Sequence, residues 1–271
     1  MKVIFLDIDG TLVDYETHLP ESAAQAVRET VKNGNKVYLT TGRSKAEIYP
    51  YLWDIGINGM IGGNGMYIED DGEVIQDLTM NAKDEKDTVD WLNKKKLGFY
   101  LESREGLYAS EYFLQKTAST LYEGNQKEGE EKIKEMFPHM IWDGELYRSD
   151  VAKISFVLED KALEEAESMF GDRLKVSSWS GTGKKQEFGE FAIKGMDKVC
   201  AVELLLKHLQ ANHKDTFAFG DAASDKKMLE YCNVGIAMGN AEGDLKEIAD
   251  YVTADVNDDG LWKAFQKYEL I

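Results

Sequence analysis

The stretch Met1-Lys2-Val3-Ile4-Phe5-Leu6-Asp7-Ile8-Asp9-Gly10-Thr11 decides how the rest of the chain is read. Residues 2–6 form a short apolar run, the pattern of a strand buried on both faces of a parallel sheet. Two carboxylates, Asp7 and Asp9, follow at once with a single residue between them. Each is costly to desolvate beside an apolar strand, and the two repel each other. A divalent hard cation resolves that conflict, and Mg2+ is satisfied by one or two carboxylates together with substrate phosphate. Gly10 permits an unusual backbone turn. Taken alone, Asp9-Gly10 also reads as a surface turn and Asp7 as a cap.

Working outward, residues 20–33 read as a helix. Pro20 starts it, Ala23, Ala24, Val27 and Val31 share a face, and Gly34 closes it. Residues 36–39 are a second buried strand, and Ser44 opens a helix predicted through Trp53. This strand–helix alternation predicts parallel βαβ units. The last third repeats it, with helices at 197–210, 225–231, 242–248 and 261–268 and strands at 216–219 and Val234–Ala237. The middle differs. It has a helix at 84–96, strands at 97–102 and 107–110 and polar helical segments to 136. A strand at 151–158, a helix at 161–170 and a strand at Leu174–Trp179 complete it. The expected fold is α/β: a doubly wound, Rossmann-like core with a parallel sheet, formed by residues 1–81 and 187–271. An α+β module at 82–186 is inserted into it.

Ligands of open α/β sheets bind beyond the carboxyl ends of the strands, so the strand ends are where chemistry is sought. The second strand ends in Thr40-Thr41-Gly42-Arg43. A hydroxyl, a glycine N–H and a guanidinium at a strand-to-helix junction suit an oxyanion or phosphate. The same four residues alone read as an ordinary helix cap. The strand at 216–219 runs into Gly220-Asp221-Ala222-Ala223-Ser224-Asp225, where Asp225 also suits a helix first turn.

Composition narrows the function. With 32 Lys+Arg against 50 Asp+Glu, the net charge is −18, which repels nucleic acid and anionic lipid. The densest basic run, Lys94-Lys95-Lys96, falls at a predicted helix C-terminus, where it complements the dipole. No stretch approaches the ~18 apolar residues of a membrane span, and the N-terminus does not read as a signal peptide. Cys200 and Cys232 have neither metal nor disulfide spacing; both read as small core residues of a cytoplasmic protein. The four histidines lack ligand spacing, and the Trp and Tyr residues of the middle module read as core. Ser180-Gly181-Thr182-Gly183-Lys184-Lys185 departs from a P-loop at Ser178 and Lys185. Asp255-x-Asn257-x-Asp259-Gly260 begins like a calcium loop but has Gln266 where a bidentate Glu is required, so it reads as a loop leading into a helix.

The order Asp7-x-Asp9-Gly10-Thr11, Thr41-Gly42-Arg43, a lysine, then Gly220-Asp221-x-x-x-Asp225 resembles the haloacid dehalogenase (HAD) phosphatase superfamily. More closely, it resembles the Cof-type (IIB) sugar-phosphatase branch, with a cap inserted between the second and third motifs. Gly63-Asn64-Gly65, Met238-Gly239-Asn240-Ala241 and Asn257-Asp258-Asp259-Gly260 also match. The resemblance implies that Asp7 is the nucleophile that becomes an aspartyl-phosphate. Asp9 is then first general acid and afterwards base. Lys198 neutralises the phosphoryl group, which Thr41, the Gly42 backbone and the Ile8 N–H hold. Mg2+ is held by Asp7, the Asp9 backbone carbonyl and Asp221, with Asp225 and Asn240 supporting from behind. Arg43 and Asn64 face the substrate.

Two positions depart from the pattern. Ser224 stands where the family has Asn, a shorter side chain with one donor to offer phosphate, and Val199 stands where it has Gly. The implied activity is Mg2+-dependent hydrolysis of small phosphorylated metabolites such as sugar phosphates, with the cap closing to exclude water. A phosphomutase or phosphotransferase using the same intermediate is one alternative, and a non-catalytic phosphometabolite-binding regulator is another. The partner is a small molecule, not nucleic acid or membrane. Oligomeric state is not legible.

Overall fold

The computed structural model describes residues 1–122, 124–180 and 185–271. They form two compact units. The first comprises Met1–Arg43, Ile48–Gln76 and Met196–Ile271; the second comprises Ser44–Glu47 and Asp77–Gly195.

The first unit is built on an eight-stranded sheet. Its strands run, edge to edge, Tyr251–Val252, Val234–Ala237, Thr216–Gly220, Val3–Leu6, Lys36–Thr40, Gly59–Gly62, Tyr67–Asp70 and Glu73–Asp77. The first six pair in parallel, and Tyr67–Asp70 turns back antiparallel on Gly59–Gly62. From Val3–Leu6 the chain winds to one side; its last third winds to the other, starting from Thr216–Gly220. The reversal falls between these two neighbours, where Leu6 is in register with Phe219. A crevice opens at such a switch point.

The period-two alternation of the first strand explains why it is apolar throughout. Ile4 and Leu6 pack with Ala24 and Val27 of the helix Glu21–Lys32 and with Phe265 of the helix Gly260–Lys267. Val3 and Phe5 pack on the opposite face with Ala201, Val202 and Leu205 of the helix Lys198–Leu209. Every side chain of the strand is buried.

The predicted helix at 44–53 is broken. One turn, Lys45–Glu47, is followed by a separate short helix, Pro50–Trp53, with Tyr49 extended at φ −63° and ψ 129°. Pro50 causes the break, since a proline disfavours helical backbone in the residue before it. The segment at 255–260 is a turn leading into the helix Gly260–Lys267, with Asp255 accepting from the Asn257 backbone at 3.0 Å.

The second unit carries a six-stranded sheet in the order Leu174–Trp179, Phe188–Ile193, Val151–Val157, Phe99–Ser103, Leu107–Ala109 and Met140–Ile141. Its pairings are antiparallel except the last. Phe188–Ile193 lies inside this sheet. The second unit therefore extends from Asp77 to Gly195, beyond the 82–186 expected from sequence. Phe188 and Phe191 are fully buried there, and pairing with Leu174–Trp179 on one side and Val151–Val157 on the other assigns the strand to this unit. Trp91 meets Phe156, Phe170 and Phe191 edge-on, as a core residue does.

Residues 181–184 of the P-loop-like segment lie outside the described residues. Cys232 is buried as expected, but Cys200 is only half-buried, because it sits on the outer side of the first turn of its helix. Among the described residues no helix is long and apolar enough to cross a membrane.

Candidate active site

Asp7 leaves the central strand with its N–H still donating to the Phe219 carbonyl at 3.1 Å, so the sheet itself fixes where the carboxylate starts. Lys198 Nζ donates to Asp7 Oδ1 at 2.8 Å and to Asp225 Oδ1 at 2.6 Å. Lys198 opens its helix, and Asp197 caps that helix by accepting from the Cys200 N–H at 3.0 Å. Gly65 docks against this helix start. Its φ is +105°, and a Cβ there would lie 2.6 Å from the Asp197 carbonyl. Val199, the second residue of the helix, is half-buried.

Asp225 is fully buried. Its second oxygen accepts from the Asp221 and Ala222 N–H groups, each at 3.2 Å, which closes the loop after Thr216–Gly220. Asp221 accepts from the Thr11 hydroxyl at 3.1 Å and from the Tyr15 hydroxyl. Asn240 Nδ2 donates to the Gly10 carbonyl at 2.7 Å, while its Oδ1 accepts from the Val256 N–H at 3.0 Å. That pins the turn at Gly10, whose φ is +81°.

The Asp7, Asp221 and Asp225 carboxylates present oxygens within 4.8 Å of one another, all buried. The Lys198 ammonium reaches two of the three, Asp7 and Asp225. Burial pushes the Asp7 carboxyl well above the ordinary range, nearby Asp225 adds to this, and Lys198 opposes it. Asp221 is pushed up to about 6, chiefly by burial, against the Tyr15 hydrogen bond and with Asp225 adding. Burial favours neutral Lys198, but the charges of Asp225 and Asp7 outweigh it and hold the ammonium protonated. This surplus of buried negative charge is what a divalent cation satisfies.

Asp9 does not point its carboxylate into that cluster. Arg43 takes it bidentately, Nε to Oδ2 at 2.7 Å and Nη2 to Oδ1 at 2.8 Å. The expected contribution of Asp9 to a cation was its backbone carbonyl, not this carboxylate. Thr41 is buried, and its Oγ1 accepts from the Arg43 N–H at 3.1 Å. Asn64 has φ 56°, donates its N–H to the Thr41 carbonyl at 3.0 Å and lies against Gly42, where a Cβ would stand 3.4 Å from its side chain. Ile8 is buried, and its carbonyl accepts from Thr11, Leu12 and Val13. Ser224 is exposed beside buried Asp225.

Sequence reasoning missed Tyr15 and the use of Thr11 as a partner of Asp221. Thr11 belongs to the Asp-x-Asp-Gly-Thr run and was open to such a reading. Tyr15 is 69% exposed in a loop without periodicity, and only its hydroxyl end is inserted, so no pattern signals it.

A family model described as haloacid dehalogenase-like hydrolase matches residues 4–265. A Bacillus subtilis protein named "Putative phosphatase YkrA" is 29% identical over 100% of this chain and 98% of its own length. The solved structure of the HAD subclass IIB sugar phosphatase BT4131 superposes with a TM-score of 0.79 at 27% identity, covering all of both chains. A Geobacillus kaustophilus structure shares the fold with a TM-score of 0.86 at 24% identity, over 100% of this chain and 99% of that one. With the motif order, the parallel sheet and the family match in agreement, the chain belongs to the haloacid dehalogenase-like hydrolases, as a phosphatase of their Cof-type branch.

Proposed function

We propose that this phosphatase hydrolyses small phosphorylated metabolites of the sugar-phosphate class, with Mg2+, through a phosphate ester on Asp7. The observation that carries the reading is Asp7 itself, a buried carboxylate fixed by Lys198 at 2.8 Å, at the switch point of the sheet. The resemblance to a sugar phosphatase over the whole of both chains supports the substrate class. The two unpaired cysteines agree with a reducing cytoplasm.

Lys198 holds Asp7 by one oxygen and leaves the other to attack phosphorus. As that bond forms, the bond to the leaving oxygen breaks, and its electron pair takes a proton from Asp9. Asp9, now a carboxylate, accepts a proton from the water that attacks the phosphoenzyme. The phosphorus–oxygen bond to Asp7 then breaks and the Asp7 carboxylate returns. Lys198 and the Thr41, Gly42 and Ile8 groups offset charge on the phosphoryl oxygens. Asp7 and Asp221, with the Asp9 carbonyl, would hold Mg2+, which supplies charge neutralisation and a template when bound. Asp225, with both oxygens taken by Lys198 and two N–H groups, keeps the ammonium and the loop in place.

The test is phosphate release from a panel of sugar phosphates, nucleotides and a chromogenic ester, with Mg2+ and with chelator. Metal-dependent release that Asp7→Asn abolishes, without loss of its circular dichroism spectrum, is the expected result. Full activity in Asp7→Asn overturns the reading.

A further inference from the structure

Arg43 reads from sequence as a substrate-binding side chain. Its geometry is different. The Nε and Nη2 edge, which can grip a phosphate or carboxylate with two parallel N–H bonds, lies on Asp9 at 2.7 and 2.8 Å. The arrangement is built from three sides. The Arg43 N–H donates to the Thr41 hydroxyl at 3.1 Å, and its carbonyl accepts from the Gly63 N–H at 2.8 Å. The guanidinium carbon sits 4.9 Å from the centre of the Tyr49 ring. Tyr49 stacks on Tyr51 at 5.4 Å, and the Tyr51 hydroxyl donates to the Thr17 carbonyl at 2.6 Å. Backbone and aromatic stack together fix the guanidinium. Asp9, by contrast, is half-buried, with a side chain 35% exposed and both carboxylate oxygens turned to Arg43.

We propose that Arg43 is the positioning residue for Asp9: its fork, backed by Tyr49, sets the rotamer and plane of the carboxylate that exchanges the proton, and it acts on the substrate only through Asp9. This rests on Asp9 being the proton-transfer group, and the test separates the two ideas. A point charge cannot reproduce the fork, so lysine is not a conservative replacement here.

The test is steady-state and single-turnover kinetics of Arg43→Ala, Arg43→Lys and Tyr49→Leu, each checked for folding by thermal melt, with an alkyl phosphate and with p-nitrophenyl phosphate. Arg43→Ala is expected to lower kcat for the alkyl ester by about 10–100-fold, the scale of a misplaced catalytic group. Its KM should stay within about 3-fold. Arg43→Lys should recover only part of the loss, and added ethylguanidinium should recover part of it in Arg43→Ala. Tyr49→Leu should show a smaller loss of the same kind. Phosphoenzyme formation from p-nitrophenyl phosphate, whose leaving group needs no proton, should be much less affected. In an Asp9→Asn background, Arg43→Ala should cost nothing further.

An unchanged kcat with a raised KM would make Arg43 a substrate ligand and overturn the proposal. Full activity in Arg43→Lys, or the same loss in the Asp9→Asn background, also overturns it. Wild-type turnover in Asp9→Asn alone would instead remove the proton-transfer role of Asp9, whatever Arg43 does.

Discussion

A single ammonium, Lys198 Nζ, joins Asp7 and Asp225, at 2.8 Å from one carboxylate and 2.6 Å from the other. The two acids come from opposite ends of the chain, and among the described residues no other buried cation pairs with either. Lys198→Met should therefore leave uncompensated charge in a dry site. Removing one partner of a buried ion pair costs about 3–5 kcal/mol, and urea unfolding of the metal-free protein should show a loss of that order. Phosphate release should vanish in the same variant under conditions where it remains folded. A stability within about 0.5 kcal/mol of the wild type would show that the bridge is not what holds the acids.

The clustered carboxylates predict a linkage between folding and cation. Mg2+ at 100 times its dissociation constant should add about 2.7 kcal/mol of stability, visible as a raised melting temperature. Asp221→Asn should abolish both this shift and the metal dependence of turnover. Its melting temperature without metal should not fall, since the substitution removes a buried carboxyl already pushed up to about 6 by burial. An undiminished Mg2+ shift in Asp221→Asn would exclude Asp221 as a ligand.

In the second unit, Glu102 is fully buried. Burial pushes its carboxyl up to about 8, against the attraction of Lys153 at 3.0 Å and with Glu47 adding. Its folded pKa thus lies above the ordinary 4.5. The folded state binds the proton more tightly than the unfolded state does. The contribution to stability is full below about pH 4.5 and is lost as the pH rises toward about 8. Glu102→Gln should flatten the decline between those limits in chemical denaturation at a series of pH values. An identical slope in both proteins would refute the assignment.

Gly65 supplies a further test. At φ +105°, with the Asp197 carbonyl 2.6 Å from where a Cβ would stand, no side chain fits without moving the start of the Lys198 helix. Gly65→Ala should cost about 1–3 kcal/mol, the range of a forced backbone conformation, and lower turnover by displacing the ammonium. An alanine variant with wild-type turnover and melting temperature would show that the contact yields.

The sequence reading succeeded where local and global signals agree. Val3–Leu6 is apolar at every position because both sheet faces are covered, and the acids after it stand out for that reason. Helix Glu21–Lys32 declares itself by Pro20 and by Gly34 at φ +83°. It failed where tertiary context decides. Phe188–Ile193 carries Gly189 and Glu190 in mid-strand, so its pattern is weak, and only its pairing on both sides assigns it to the second sheet. In the helix predicted at 44–53, Pro50 was present to be read as a breaker and was not. The pairing of Arg43 with Asp9 joins residues 34 positions apart through a side-chain rotamer, which no periodicity encodes.

The seam between Val3–Leu6 and Thr216–Gly220 also sets an order in time. During vectorial synthesis Asp7 emerges well before its strand neighbour, Asp221 and Lys198, which follow some two hundred residues later. At about 5–20 residues per second, that interval is roughly 10–40 s. Throughout it the nascent chain carries Asp7 with neither the Lys198 ammonium nor the Asp221 and Asp225 carboxylates beside it. The three buried carboxylates and the ammonium between two of them therefore come together only once the last third has closed on the first strand.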